Sequence, residues 1–233
     1  HSDQNLDLNA RNDLGSNAFS MACLKGQKDV VQLLLDHSDK IELNTKDKQG
    51  LTAFMRTCQN GQNDVMVLLL VHSDNILLNA KDNYGMTAFM HACSNGHTDV
   101  VRLLLDHSDK IDLNAKNDLG LAAFRFACNL GRTDVVQLLL DHSDKIELNT
   151  KDKQGFTAFM RTCQTQNGMF MRTCQNGQND VVELLLAHSD KLVLNAKDSN
   201  GMTAFMRACR NGHEDVVLLL LDHSDILELN AQT

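Results

Sequence analysis

The chain has 233 residues, with 22 Lys and Arg against 30 Asp and Glu and a formal net charge of −8. That balance argues against a nucleic-acid or anionic-membrane partner, because both need a basic footprint to neutralise phosphate. Hydrophobic residues at 42% and charged residues at 22% exclude a disordered chain, and apolar runs such as Val135 to Leu140 stop short of the roughly 18 residues a membrane span requires.

No basic and apolar leader opens the chain, so a soluble, unexported protein is expected. There is no Pro, no Trp and a single Tyr, an uneven composition that points to internal copying. Gly15, Gly50, Gly85, Gly120 and Gly155 are each 35 residues apart, and Gly201 follows after 46, an excess of 11. A period between roughly 20 and 50 residues marks a solenoid, in which each unit buries its apolar face only against its neighbours. The expected units are 9–43, 44–78, 79–113, 114–148, 149–194 and 195–229, together one repeat domain over 1–233. The segment from Asp29 to Gly50 recurs unchanged from Asp134 to Gly155, which suggests duplication in blocks of three units.

The third unit shows the pattern. Asn79 to Gly85 is polar and reads as a hairpin-like loop. From Thr87 to Asn95, Ala88, Phe89, Ala92 and Cys93 share one face of a first helix, helix A. Asn95-Gly96 ends it, because Gly adopts the left-handed C-cap at little steric cost. A second helix, helix B, begins near Asp99, whose carboxylate suits the positive end of the helix dipole, and runs through Val100, Val101 and Leu103 to Leu105. His107 and Ser108 close it. Six such units predict an all-α solenoid of stacked helix-turn-helix units with hairpin-like loops.

These units resemble ankyrin repeats. The family pattern D-x-x-G-x-T-P-L-H-x-A is met by Asp47-Lys-Gln-Gly-Leu-Thr-Ala-Phe-Met-Arg-Thr, and G-H-x-x-V-V-x-L-L-L by Gly96-His97-Thr-Asp-Val100-Val101-Arg-Leu103-Leu104-Leu105. Ala53 and Met55 stand where the family usually has Pro and His, which removes the imidazole that ties the hairpin to its neighbour and puts loop rigidity in question. The resemblance implies a protein-interaction scaffold that holds a protein partner in a concave groove formed by the hairpins and helix A. The alternatives are a structural or elastic segment of a larger scaffold or channel protein, and an engineered array.

Six cysteines (Cys23, Cys58, Cys93, Cys128, Cys163, Cys209) occupy one core position of helix A. With stacked units about 10 Å apart, as the resemblance implies, they lie beyond the ~7 Å Cα limit for a disulfide. No C-x-x-C pair makes a zinc site, and reduced thiols point to the cytosol or nucleus. Six histidines recur in His-Ser-Asp triplets at the end of helix B, such as His37-Ser38-Asp39. Three adjacent residues cannot form a nucleophilic triad, whereas a cation-capable side chain complements a helix C-terminus. No residue reads as catalytic, and no metal or cofactor is implied. The Leu-Asn step that opens each unit, as at Leu43-Asn44, resembles the asparagine that asparaginyl hydroxylases modify in ankyrin repeats; the plainer reading is an Asn bonding its own turn.

Positions that vary between units are free for recognition. The sixth residue past the hairpin Gly (Met21, Arg56, His91, Phe126, Arg161, Arg207) lies roughly 130° from the core stripe of helix A and is expected to face outward. The candidate partner-binding residues are Arg56, Tyr84, Met86, His91, Leu119, Leu121, Phe126, Leu130, Phe156 and Arg161, an apolar centre with a charged rim. Leu51, Met86 and Leu121 are equally well read as packing between hairpins. Ser16, Asn17, Ser20 and Lys25 read as a polar cap on the first unit. The last unit keeps Leu218, Ile226 and Leu227, which leaves self-association through an uncapped C-terminal repeat as a further expectation. The fifth unit contains Phe-Met-Arg-Thr-Cys-Gln twice, from Phe159 and from Phe170. The first copy is expected to dock, since only it has Thr157-Ala158 at normal spacing, with an insertion near 165–175 bulging at the turn.

Overall fold

The computed structural model describes residues 7–164 and 175–227, and the chain divides into two compact units, His1–Asp112 and Leu113–Thr233. The first unit holds α1 (Ala18–Leu24), α2 (Lys28–Leu35), α3 (Ala53–Asn60), α4 (Asn63–Val71), α5 (Ala88–Asn95) and α6 (Thr98–Asp106). The second holds α7 (Ala123–Asn129), α8 (Thr133–Asp141), α9 (Ala158–Gln164), α10 (Gln175–Ala187), α11 (Ala204–Asn211) and α12 (Glu214–Asp222). Short 3₁₀ turns span Ser73–Asn75 and Ser189–Lys191, and no strand occurs among the described residues.

Each unit is built from two rows of helices. In the first, α1, α3 and α5 pack side by side in one row and α2, α4 and α6 in the other. In the second, α7, α9 and α11 form the first row and α8, α10 and α12 the other. Helices of seven to nine residues, as α1 to α9 are, are too short to persist alone in water, so these rows stand by burying their shared faces. Phe19, Phe54 and Phe89 fill the helix-A row of the first unit, and Val65, Leu69, Val100 and Leu104 its helix-B row. Phe124 and Phe159 do the same in the second unit, against Val135, Leu139, Val181 and Leu185.

Local signals set the helix ends. Thr52, Thr87, Thr157 and Thr203 each accept the amide three residues on, at 3.3–3.4 Å, and start α3, α5, α9 and α11. Gly96 caps α5 at φ 79°, where a side chain would be strained. The His-Ser-Asp histidines end the helix-B row as expected: in all six the ring Nδ1 sits 2.8–2.9 Å from the carbonyl four residues back.

The Leu-Asn asparagines clamp the start of a repeat to the loop that closes it. Their side chains reach beyond their own turn. Asn44 donates to Asn75 O (2.9 Å) and accepts from Leu77 N (2.8 Å) in the first unit, and Asn114 donates to Lys145 O (2.9 Å) and accepts from Glu147 N (2.8 Å) in the second. The expected polar cap is also placed differently. Ser16, Asn17 and Ser20 are buried, because Asn17 is the N-cap of α1 and its amide reaches Glu42 O (2.8 Å) in the loop that closes the same repeat. The hydroxyl of Ser20 is buried without a hydrogen-bond partner. In the fifth repeat Phe159 is buried in α9; its duplicate Phe170 and nearly all of the expected bulge lie outside the described residues.

Candidate interaction surface

The hairpins owe their shape to one side chain each. An Asp or Asn three residues before the Gly accepts the amides two and four residues on: Asp82 Oδ1 takes Tyr84 N (2.8 Å) and Met86 N (2.9 Å) in the first unit, and Asn117 Oδ1 takes Leu119 N (3.0 Å) and Leu121 N (2.9 Å) in the second. This turn supplies the order that the missing Pro and His left in question, and Met55 is free to be core. Backbone also approaches closely at the turn: a Cβ on Gly155, at φ 81°, would stand 2.8 Å from Ser199 N of the next hairpin.

The residue just before the Gly is thereby held out into solvent. Tyr84 is 71% exposed, Leu119 63% and Leu14 64%. The residue after it turns inward: Met86 and Leu121 are half-buried, while Leu51 and Phe156 are buried. Phe126 and Leu130, on and just after α7, are half-buried.

The sixth position past the Gly does not point outward. It folds back onto the hairpin of its own repeat, because the hairpin lies over the start of helix A. Arg56 Nε donates to Asp47 Oδ2 (3.0 Å), His91 Nε2 lies 2.9 Å from Asp82 Oδ2, Arg161 Nη2 donates to Asp152 Oδ2 (3.2 Å), and Arg207 Nε donates to Asp198 Oδ2 (2.8 Å). His91 is buried rather than part of a rim, and Arg56 and Arg161 are tied to carboxylates. Burial outweighs the attraction of Asp82 and, with the nearby Arg56 charge, holds the His91 imidazole below its ordinary range. Where the hairpin residue is Asn, the partner is uncharged: Asn12 stands with Met21 and Asn117 with Phe126. Across this spacing of nine residues Asp faces Arg or His four times and Asn faces Met or Phe twice.

The second unit adds a cluster that sequence reasoning missed. Arg125 stands where the other helix-A copies have Ser20, Met55, Met90, Met160 and Met206, yet it is 7% exposed. Its Nη2 donates to Asp152 Oδ2 (3.0 Å) and its Nη1 to Phe156 O (3.3 Å), both in the following repeat. The guanidinium carbons of Arg161 and Arg207 lie 3.7 and 4.8 Å from the centroid of the Phe156 ring. Burial alone would raise the Asp152 and Asp198 carboxyls; amide bonds and the arginines outweigh it and hold both below their ordinary range. For Arg125, burial outweighs Asp152 and lowers the guanidinium. The signal was available: an Arg in a Met position, one place before an uncharged Phe126.

Burial raises the thiols of Cys58, Cys93, Cys128 and Cys163 well above their ordinary range and pushes Cys23 up to about 12, so all five are packing groups. Cys209 differs in being exposed, since within the described residues no later helix-A copy covers α11. No three His, Cys, Asp or Glu side chains gather as metal ligands among the described residues, and no helix described is long and apolar enough to cross a membrane.

Paired short helices, capped by turns that an Asx side chain closes and stacked in two rows, define a helical tandem-repeat protein. A family model for ankyrin repeats (3 copies) matches residues 2–80, 19–117, 58–152 and 162–233. The chain belongs to the ankyrin-repeat family, whose members generally mediate protein–protein interaction and typically act as non-catalytic scaffolds. Solved structures agree in fold. An ankyrin repeat domain, ABAYE2397 from Acinetobacter baumannii AYE, is 24% identical with a TM-score of 0.70, covering 88% of this chain and 97% of that one. The ankyrin repeat protein EF0377 is 21% identical with a TM-score of 0.72, covering 90% and 98%. A chain from the complex of the predatory endopeptidase Bd0816 of Bdellovibrio bacteriovorus with immunity protein Bd3460 is 23% identical with a TM-score of 0.68, covering 89% and 98%. No curated protein matches the sequence significantly.

Proposed function

We propose that the chain binds a protein partner through its hairpin tips and the adjoining side of helix A, and that it catalyses nothing. The observation that carries this reading is the exposure of Tyr84 and Leu119, at 71% and 63%, on turns fixed by Asx hydrogen bonds. A large apolar side chain held in water by a rigid turn costs little further entropy when a partner covers it. Met86 and Leu121, half-buried beside these tips, extend the apolar contact in each unit. The paired Arg56, His91 and Arg161 serve as struts that hold the hairpin.

The test is crosslinking mass spectrometry of the tagged chain, followed by capture of the identified partner with Tyr84→Ser and Leu119→Ser variants. Loss of capture with an unchanged helical circular dichroism spectrum supports the reading. Full capture by the double variant overturns it.

A further inference from the structure

We infer that the hairpin and helix-A side of the second unit is a cationic docking surface for an acidic peptide segment, which the acidic overall composition hides. This rests on the hairpin side being the binding face, and it adds the chemistry of what binds there.

The charges of the second unit are sorted by element. The stretches 114–132, 149–164 and 195–213, each a hairpin with its first helix, carry three Arg or Lys apiece against one Asp apiece. The stretches 133–148, 179–194 and 214–227, which hold the second helices and their loops, carry eleven Asp or Glu against two Lys. The corresponding hairpin stretches of the first unit, 9–27, 44–62 and 79–97, carry six basic residues against three acidic ones, and in the third of them one Lys meets one Asp. A formal charge of −8 is therefore the sum of basic hairpin stretches and more strongly acidic second-helix stretches, with the positive charge concentrated in the hairpin stretches of the second unit.

The contacts show that this charge is gathered at one place. Asp152 serves two guanidinium groups, Arg125 at 3.0 Å and Arg161 at 3.2 Å, while Asp198 serves Arg207. Phe156 joins them, with Arg161 and Arg207 against its ring and Arg125 on its carbonyl. Three guanidinium groups thus share two carboxylates. The Nε of Arg125 is buried with no hydrogen-bond acceptor, although the residue is 7% exposed. In the first unit the equivalent place holds one arginine and one histidine against two aspartates, so no surplus exists there. Exposed Lys153, whose Nζ donates to Asp118 O (2.6 Å), and exposed Arg210, with Nη1 3.8 Å from Met202 Sδ, add two further positive charges on the hairpins and helix A of this unit.

A surplus cation in a partly desolvated site attracts a carboxylate more strongly than the same charge in water. The field of the whole acidic chain repels an extended polyanion such as DNA. A short segment with a few carboxylates escapes that penalty, and exposed Leu119 on the same unit gives an apolar residue of the segment something to cover.

The experiment uses the full chain and a fluorescein-labelled dodecapeptide of Glu and Asp with a central Phe, read by fluorescence anisotropy. A lysine-substituted peptide, a duplex DNA oligonucleotide and phosphatidylserine vesicles serve as comparison probes. The expected result is saturable binding of the acidic peptide alone, weakened about tenfold by the pair Lys153→Glu and Arg210→Glu, weakened by added salt, and unchanged by Lys48→Glu in the first unit. Absence of saturable binding, equal binding of DNA or vesicles, or equal loss in the Lys48→Glu variant overturns the inference. If a partner captured through Tyr84 and Leu119 also binds the Lys153→Glu, Arg210→Glu chain unchanged, the hairpin reading stands and the acidic-segment inference fails.

Discussion

Replacing Asp198 by Asn isolates one link in the structure. Asp198 Oδ1 accepts Asn200 N (2.7 Å) and Met202 N (3.1 Å), and an Asn keeps that acceptor, as Asn117 does toward Leu119 and Leu121. What Asn removes is the charge facing Arg207, whose side chain is 8% exposed against 0% for the aspartate. Breaking a buried ion pair by removing one partner costs about 3–5 kcal/mol, chiefly because the remaining charge stays buried. Arg207 keeps its place over Phe156 and a small opening to water, so the lower end, about 3 kcal/mol, is expected. With a urea slope of about 2 kcal/mol per molar, the midpoint of the transition that includes the last repeat falls by about 1.5 M. Adding Arg207→Met recreates the uncharged pairing of Asn12 with Met21 and should return stability to within about 1 kcal/mol of the parent chain. A single variant that costs under about 1 kcal/mol, or a double variant no more stable than the single one, would refute the nine-residue charge rule.

Acid should weaken the second unit through Asp152 and Asp198. Their folded carboxyls titrate below the ordinary 3.8, so their stabilisation is complete above that value and is lost as pH falls through the lower folded one; urea midpoints followed downward from about pH 5 should drop less in the Asp198→Asn, Arg207→Met chain. His91 acts in a milder range. Its folded imidazole titrates below 6.5, so the unfolded chain takes up the proton first and stability declines as pH falls below 6.5; an NMR titration placing His91 above 6.5 contradicts the burial argument. Among the described cysteines, iodoacetamide under native conditions should modify Cys209 in seconds to minutes and leave Cys23, Cys58, Cys93, Cys128 and Cys163 unmodified until unfolding, as resolved by peptide mass spectrometry. Asn114→Ala strands Lys145 O and Glu147 N and should cost about 1–3 kcal/mol in urea unfolding; a neutral result would mean that water replaces the clamp.

Much of the fold was legible because its signals are local. Gly96 and Asp99 marked the turn between α5 and α6, and the apolar spacing of Phe89, Ala92 and Cys93 named the buried face. The surface was harder to read because a helical wheel considers helix A alone. It assigns Arg56 and His91 to solvent, whereas the hairpin returns over the helix and offers each a carboxylate. That contact was nonetheless written in the sequence, as Asp with Arg or His and Asn with Met or Phe, nine positions apart. Arg125 was passed over because a Met position reads as core, and only the packing shows its reach to the following repeat. The asparagine clamps connect residues more than 30 positions apart, and no local pattern discloses such a partner.

The most direct test of the central claim is amide hydrogen exchange of the chain with and without its captured partner. The account predicts new protection around Tyr84 and along α5 in the first unit and around Leu119 and along α7 in the second, with the outer faces of α4 and α12 unchanged. Protection confined to those outer faces, around Val67 and Leu218, would contradict it.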